Sequence, residues 1–146
     1  YLFAGGKCMN EYLYDDLAVG QEAVFSRVIT EKMMSQFREI SGDDNPLHRD
    51  SDFAQEHNFG GVVAFGMLSA SLYSALAGVY LPGKFCLLQC VHADFLAPVF
   101  IGDTLTVTGK LVEKNDSVRQ LVIKAVIRNQ HGKKVGKAKL EAGMLK

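Results

Sequence analysis

Asp43 and His48 stand five residues apart in the segment Ser41-Gly42-Asp43-Asp44-Asn45-Pro46-Leu47-His48. Pro46 fixes its own φ and pushes Asn45 into an extended conformation, so the polar groups of this stretch have little freedom to spread. A carboxylate and an imidazole converging on one point can hold a water molecule and exchange protons with it. Such a pair can add water across a double bond or remove it. Spacing alone does not separate this from a plainer reading, since Asp and Asn before Pro are common turn residues and a loop His is often only surface.

A second group gives the pair something to act on. Phe65-Gly66-Met67 opens a long uncharged stretch. If a helix starts there, the Gly66 N–H is an unpaired donor at the positive end of the helix dipole. Such a donor could hold a thioester carbonyl oxygen as it gains negative charge, and glycine lets a substrate approach the backbone closely. The competing reading of Gly66 is tight helix packing. Ser71 and Ser74, five and eight residues beyond Gly66, could aim hydroxyls at the loop, or could bond back to their own helix.

The elements that must position these groups read as follows. Glu22 to Ile29 is a first strand, with Val24, Val28 and Ile29 among polar neighbours. Thr30 caps a helix carrying Met33, Met34 and Phe37, which stops at Ser41-Gly42. Asp43 to Asp50 is a loop, and Asp50 or Ser51 caps a short helix through Phe53 and Ala54. The longest helix runs from about Phe65 to Tyr80, ends at Leu81-Pro82-Gly83, and is predicted to be buried on all sides within the domain. The period then changes from helical to two. Phe85, Leu87, Val91, Ala93 and Phe95 are predicted to share one strand face, followed by Leu105, Val107 and Leu111, then Leu121, Ile123, Ala125 and Ile127, then Gly136, Ala138, Leu140, Ala142 and Met144. Asn115-Asp116-Ser117 and Asn129-Gln130-His131-Gly132 are turns, so the strands form an antiparallel meander. The class is α+β in one domain.

Composition narrows the partners. Sixteen Lys and Arg balance sixteen Asp and Glu among 146 residues, so no overall field favours nucleic acid or an anionic membrane. Asn58 to Gly83 is uncharged and long enough to span a bilayer. Its glycines and serines dilute its hydrophobicity, and the half-apolar strands need a buried partner, so no membrane span is predicted. Cys8, Cys86 and Cys90 are an odd number, and a strand would hold Cys86 and Cys90 roughly 13 Å apart, too far to bridge. Free thiols and the lack of a secretory pattern predict a cytoplasmic protein. Cys90 and His92 share a strand face, but two ligands do not complete a metal site. Lys133, Lys134 and Lys137 could meet phosphates or simply be solvated.

Gly42-Asp43-x-Asn45-Pro46-x-His48 with Phe53-Ala54 resembles the signature of the MaoC-like, (R)-specific enoyl-CoA hydratases. Similarity extends to Asp16-Leu17-x-Val19-Gly20, to Gly66-Met67-Leu68-x-Ala70-Ser71-Leu72-x-Ser74, to Leu81-Pro82-Gly83 and to Ala97-Pro98-Val99-Phe100-Ile101-Gly102-Asp103. The resemblance implies a hot-dog fold over residues 12–146, with residues 1–11 an N-terminal extension. It implies reversible syn addition of water to a trans-2-enoyl thioester of coenzyme A or acyl carrier protein. Asp43 and His48 would be the acid–base pair, Gly66 the carbonyl donor, Asn45 and Ser74 its supports, and Phe65 and Met67 part of the acyl pocket. It further implies a homodimer or an oligomer of dimers, and no metal or redox cofactor, coenzyme A being part of the substrate. The family usually has His where this chain has Phe65, a change that bears on acyl specificity. A thioesterase on the same fold is the nearest rival; it would place a carboxylate on the central helix, and Gly66 to Tyr80 has none. A non-catalytic acyl-binding subunit is the other alternative.

Overall fold

The computed structural model describes residues 9–146. Five strands, β1 (Glu22–Val28), β2 (Cys86–Phe95), β3 (Thr104–Asn115), β4 (Gln120–Arg128) and β5 (Lys134–Met144), form one antiparallel sheet in the order β1-β3-β4-β5-β2. Between β1 and β2 the chain runs through α1 (Glu31–Ser41), a 3-10 turn at Pro46–His48, α2 (Ser51–Glu56) and α3 (Gly66–Ala75). A π-helical turn over Leu76–Tyr80 continues α3, with the Leu81 N–H donating to Leu76 O at 2.8 Å. The sheet wraps around this helix, which is the hot-dog arrangement.

Period-two burial explains the wrapping. Leu105, Val107 and Leu111 on β3, Leu121, Ile123, Ala125 and Ile127 on β4, and Ala138, Leu140 and Ala142 on β5 are all buried. All of these but Ala142 pack with Tyr73, Leu76 and Ala77 in one core. Each fully buried Leu or Ile here contributes about 1.5–3 kcal/mol relative to exposure. The sheet makes room for this helix at Gly109, where a Cβ would stand 2.7 Å from Leu76 Cδ2 and 2.9 Å from its Cδ1. Gly109→Ala is therefore expected to destabilise the fold by about 1–3 kcal/mol through overpacking, read as a lower midpoint in urea unfolding.

Local rules hold at α1. The Thr30 hydroxyl accepts from Met33 N–H, and Gly42 ends the helix with φ 72°. Asp50 caps α2 by accepting from the Asp52 and Phe53 N–H groups. On β1 the inward residue is Phe25, stacked on Tyr80 at 4.6 Å; Val24 and Val28 lie exposed, and Ile29 is buried just beyond the strand.

Three expectations need correction. The central helix is not buried on all sides: Met67 is 63% exposed, and Ser71 and Ser74 are exposed with it. These residues recur at i, i+4 and i+7, so one stripe of the helix lies beyond the reach of the five-stranded sheet. On β2, Leu87 does not share a face with Val91, Ala93 and Phe95. The pairing with β5 shifts between Leu88 and Cys90, and this bulge at Gln89 reverses the parity of the strand. Cys86 accordingly faces the side opposite Cys90 and His92. Third, Asn10 and Glu11 belong with the domain, not with an extension. Asn10 bonds Val79 O and Tyr80 O, and Glu11 pairs with Gly83 and with Lys84 Nζ at 2.8 Å. Residues 1–8 of the expected extension lie outside the described residues. Among the described residues no helix is long and apolar enough to cross a membrane.

Candidate active site

The loop after α1 is held from several directions. Asp44 accepts from Arg38 Nη2 at 2.6 Å and Arg49 Nε at 3.0 Å, and Arg49 also donates to Asp44 O. These groups are about half exposed, so each pair contributes about 0–1 kcal/mol; their effect is to fix where the loop lies. Asn45 acts within the turn. Its Oδ1 accepts from Leu47 N–H at 2.9 Å, capping the 3-10 turn, while its own N–H donates to Asp43 Oδ1 at 3.1 Å. Asn45 thus supports Asp43 through the main chain, and its side chain does not touch the imidazole.

His48 is oriented by the strand-like segment that leads into α3. Val63 N–H donates to Leu47 O at 3.1 Å, and His48 Nδ1 lies 2.7 Å from Val63 O. A carbonyl can only accept, so Nδ1 carries the hydrogen, which leaves Nε2 of a neutral ring free to take a proton. The same segment is tied from behind, with Ala64 N–H donating to Val99 O at 2.7 Å. Gly66 begins α3 two residues later. Main-chain bonds therefore set the imidazole and the helix start against each other.

No side chain caps α3. Its first N–H groups, Gly66 among them, have no acceptor in their own helix and sit at the positive end of its dipole. His48 and Gly66 line one cavity of about 480 Å³ between α3, β4, β5 and the Phe95–Val99 segment. Its wall is largely apolar, contributed by Val63, Ala70, Pro98, Val99 and Ile127 among others. The ring of Phe95, 56% exposed, covers Gly66 so closely that a Cβ there would meet it at 3.2 Å.

The other expected site residues fall differently. Asp43 is exposed on the loop and is not part of the cavity wall; no hydrogen bond joins it to His48. Ser74 is exposed on the open stripe of α3 and does not line the cavity. Phe65 and Met67 do not line this cavity. Phe65 is only 2% exposed and packs behind His48, with ring centroids 4.3 Å apart, and against Phe37 at 4.9 Å. Met67 points away from the cavity on the exposed stripe, because it lies one residue, about 100° around the helix, from Gly66. Lys134 and Lys137 lie with Lys124 and Lys139 in a groove on the outer sheet face, where Lys137 Nζ is 3.9 Å from Asp94.

Three cavity residues carried no chemical reading in the sequence: Ser69, Tyr73 and Phe95. Helical phase was the available signal for two of them, since Ser69 and Tyr73 stand three and seven residues after Gly66 and so share its stripe. Phe95 is reached only through the fold, which lays the end of β2 across the start of α3.

Comparison with known proteins fits this geometry. The MaoC like domain matches residues 16–133. An (R)-specific enoyl-CoA hydratase of Rhodospirillum rubrum is 39% identical over 107 residues, covering 70% of this chain and 74% of that protein. A 3-hydroxybutyryl-CoA dehydratase of Methylorubrum extorquens is 36% identical over 100 residues, covering 68% of this chain and 64% of its own length. Among solved structures, an (R)-hydratase from A. caviae involved in PHA biosynthesis superposes with a TM-score of 0.84 at 31% identity, over 88% of this chain and 97% of that one. The chain belongs to the MaoC-like domain family.

Proposed function

We propose that the protein is an (R)-specific enoyl-CoA hydratase, a hydro-lyase that adds water reversibly to a trans-2-enoyl thioester. The observation that carries this reading is the shared cavity of His48 and Gly66, an imidazole with a free Nε2 beside an uncapped helix start. The relatives named as hydratase and dehydratase support the reaction in its two directions.

In this proposal the thioester carbonyl accepts from the Gly66 N–H, which withdraws electrons from C3 and stabilises the enolate that forms. A water molecule held by Asp43 and His48 adds its oxygen to C3 and delivers a proton to C2 on the same face. Asp43 has Oδ1 committed to Asn45 N–H, which leaves Oδ2 to accept from that water. The reaction uses no metal or redox cofactor, and coenzyme A or an acyl carrier protein enters only as the carrier of the acyl group.

The assembly proposed is a homodimer formed along β2. This is a ten-residue edge strand with exposed Leu87, Val91 and Phe95, and α3 carries its own exposed Met67, Ser71 and Ser74. A long apolar edge of this kind invites pairing with another strand. The free Cys86 and Cys90 thiols support a reducing compartment, and the cytoplasm is the location proposed.

Incubation with crotonyl-CoA tests the reaction: the enoyl absorbance is expected to fall without release of free thiol, while the protein sediments at the dimer mass. Release of thiol in step with that loss points instead to hydrolysis and sinks the hydratase assignment.

A further inference from the structure

One row of exposed residues crosses all five strands on the outer face of the sheet. Register places Glu22 of β1 opposite Lys110, Lys110 opposite Lys124, Lys124 opposite Lys139, and Lys139 opposite His92 of β2. Three lysines therefore stand on the three central strands, about 4.8 Å apart from strand to strand. Like charges directly opposite each other in a sheet are destabilising, and Lys124 has a lysine on either side. Neither Lys110 nor Lys124 forms an ion pair among the described residues. Lys139 has Glu141 at 3.6 Å, and Lys137, in the next row, has Asp94 at 3.9 Å.

The rows on either side differ in kind. One holds Glu113, Val122, Glu141 and Cys90 in register, and so gives the lysines an acidic border. The other holds Val24, Thr108, Val126, Lys137 and Asp94. Val24 is 51% exposed and Val126 half-buried, so an apolar strip runs beside Lys110 and Lys124. Val126 continues it into the groove of about 300 Å³ that Lys124, Lys134, Lys137 and Lys139 also line. The catalytic cavity lies on the other face of the sheet, where Ile127 and Gly136 line it.

A broad polyanion suits this surface poorly. Glu22, Glu113, Glu141 and Asp94 rim the row, and an anionic bilayer or a nucleic-acid duplex laid over the sheet would meet them as well as the lysines. A narrow line of carboxylates fits. Along an α-helix, residues i, i+3 and i+7 rise by 0, about 4.5 and about 10.5 Å, against 0, about 4.8 and about 9.6 Å for the three lysines. Apolar residues at i+1, i+4 and i+8 of such a helix flank its acidic line and would meet Val24 and Val126. This chain offers no helix of that kind among the described residues: α1 mixes Glu31 and Glu39 with Lys32 and Arg38, α2 is six residues long, and α3 has no acid. We infer that the outer sheet face is a docking surface for an acidic amphipathic helix of a partner protein, laid across the strands over Lys110, Lys124 and Lys139.

The test uses the full chain and a labelled, stapled helical peptide with Glu at i, i+3 and i+7 and Leu at i+1, i+4 and i+8, read by fluorescence anisotropy. The Glu peptide is expected to bind about tenfold tighter than its Gln counterpart, and Lys110→Gln/Lys124→Gln to lose about tenfold, the yield of two exposed ion pairs. Relief of the lysine repulsion should leave the Tm of that variant unchanged or raised. Lys124→Glu is expected to reverse the preference, favouring a peptide with Lys at i+3 over the Glu peptide, whereas damage to the fold would weaken both alike. Equal affinity for the Glu and Gln peptides, or for wild type and the lysine variants, overturns the inference. So does tighter, lysine-dependent binding of a DNA duplex or of phosphatidylserine vesicles, which assigns the row to a phosphate polyanion. Displacement of the peptide by coenzyme A at matched ionic strength assigns it to the substrate's carrier, and a lysine-dependent rise in sedimenting mass assigns it to a second copy; either result also overturns it.

Discussion

Asp43→Asn and His48→Gln are each expected to lower kcat/KM for enoyl-CoA hydration by about 10²–10⁴-fold, the range for loss of a positioned acid or base. The fold should survive both. Asp43 is exposed and His48 only partly buried, and neither contributes a core side chain. Gln at position 48 can still donate to Val63 O, as Nδ1 does now at 2.7 Å, but it has no nitrogen able to take a proton. His48→Gln therefore separates orientation of the loop from proton transfer. Asn at position 43 still accepts from Asn45 N–H through its carbonyl oxygen, yet it cannot act as a base. If the two residues serve one water, the double variant should fall little below the worse single variant, because groups acting as a unit are not additive. Circular dichroism and sedimentation matching the wild type would show that chemistry alone was lost. Wild-type rates in both single variants would overturn the assignment of the pair.

How much of this could be read in the chain is decided by the range of each interaction. The helix stop at Gly42 and the caps at Thr30 and Asp50 involve neighbours within four residues, and all were legible. The β3 and β4 faces were legible too, since buried residues alternate strictly on β3 through Leu111 and on β4 from Ile123 to Ile127, with only Val122 buried out of phase. The face of β2 was not, because a single inserted residue at Gln89 reverses parity without any mark in the hydrophobic pattern. The loop motif showed which residues have chemistry, but not that His48 enters the cavity while Asp43 stays on the exposed loop. That difference depends on Val63, fifteen residues away in sequence from the imidazole it holds. That Ser69 lines the cavity while Ser71 and Ser74 do not depends on which stripe of α3 the sheet leaves facing it.

The largest remaining effect tests the backbone donor, which no ordinary side-chain change can remove. Gly66 is the first residue of α3, where proline is tolerated because that N–H has no helical acceptor. The residue before a proline must be extended, and Phe65 already has φ −57° and ψ 128°. Gly66→Pro can therefore delete the N–H with the helix start intact. It also adds a Cβ, which meets the Phe95 ring at 3.2 Å. Gly66→Ala adds the same carbon and keeps the N–H, so it is the matched control. With Phe95 more than half exposed and free to give by a few tenths of an ångström, Gly66→Ala is expected to keep activity within about tenfold of wild type. Gly66→Pro is expected to lose about a further 10²–10³-fold in kcat, the loss seen when one oxyanion donor is removed. The comparison is read in kcat and not in KM, because a donor aimed at developing charge matters most in the transition state. Equal kcat for the proline and alanine variants would show that the carbonyl is held elsewhere. His48 would then have to be matched to another donor in the same cavity.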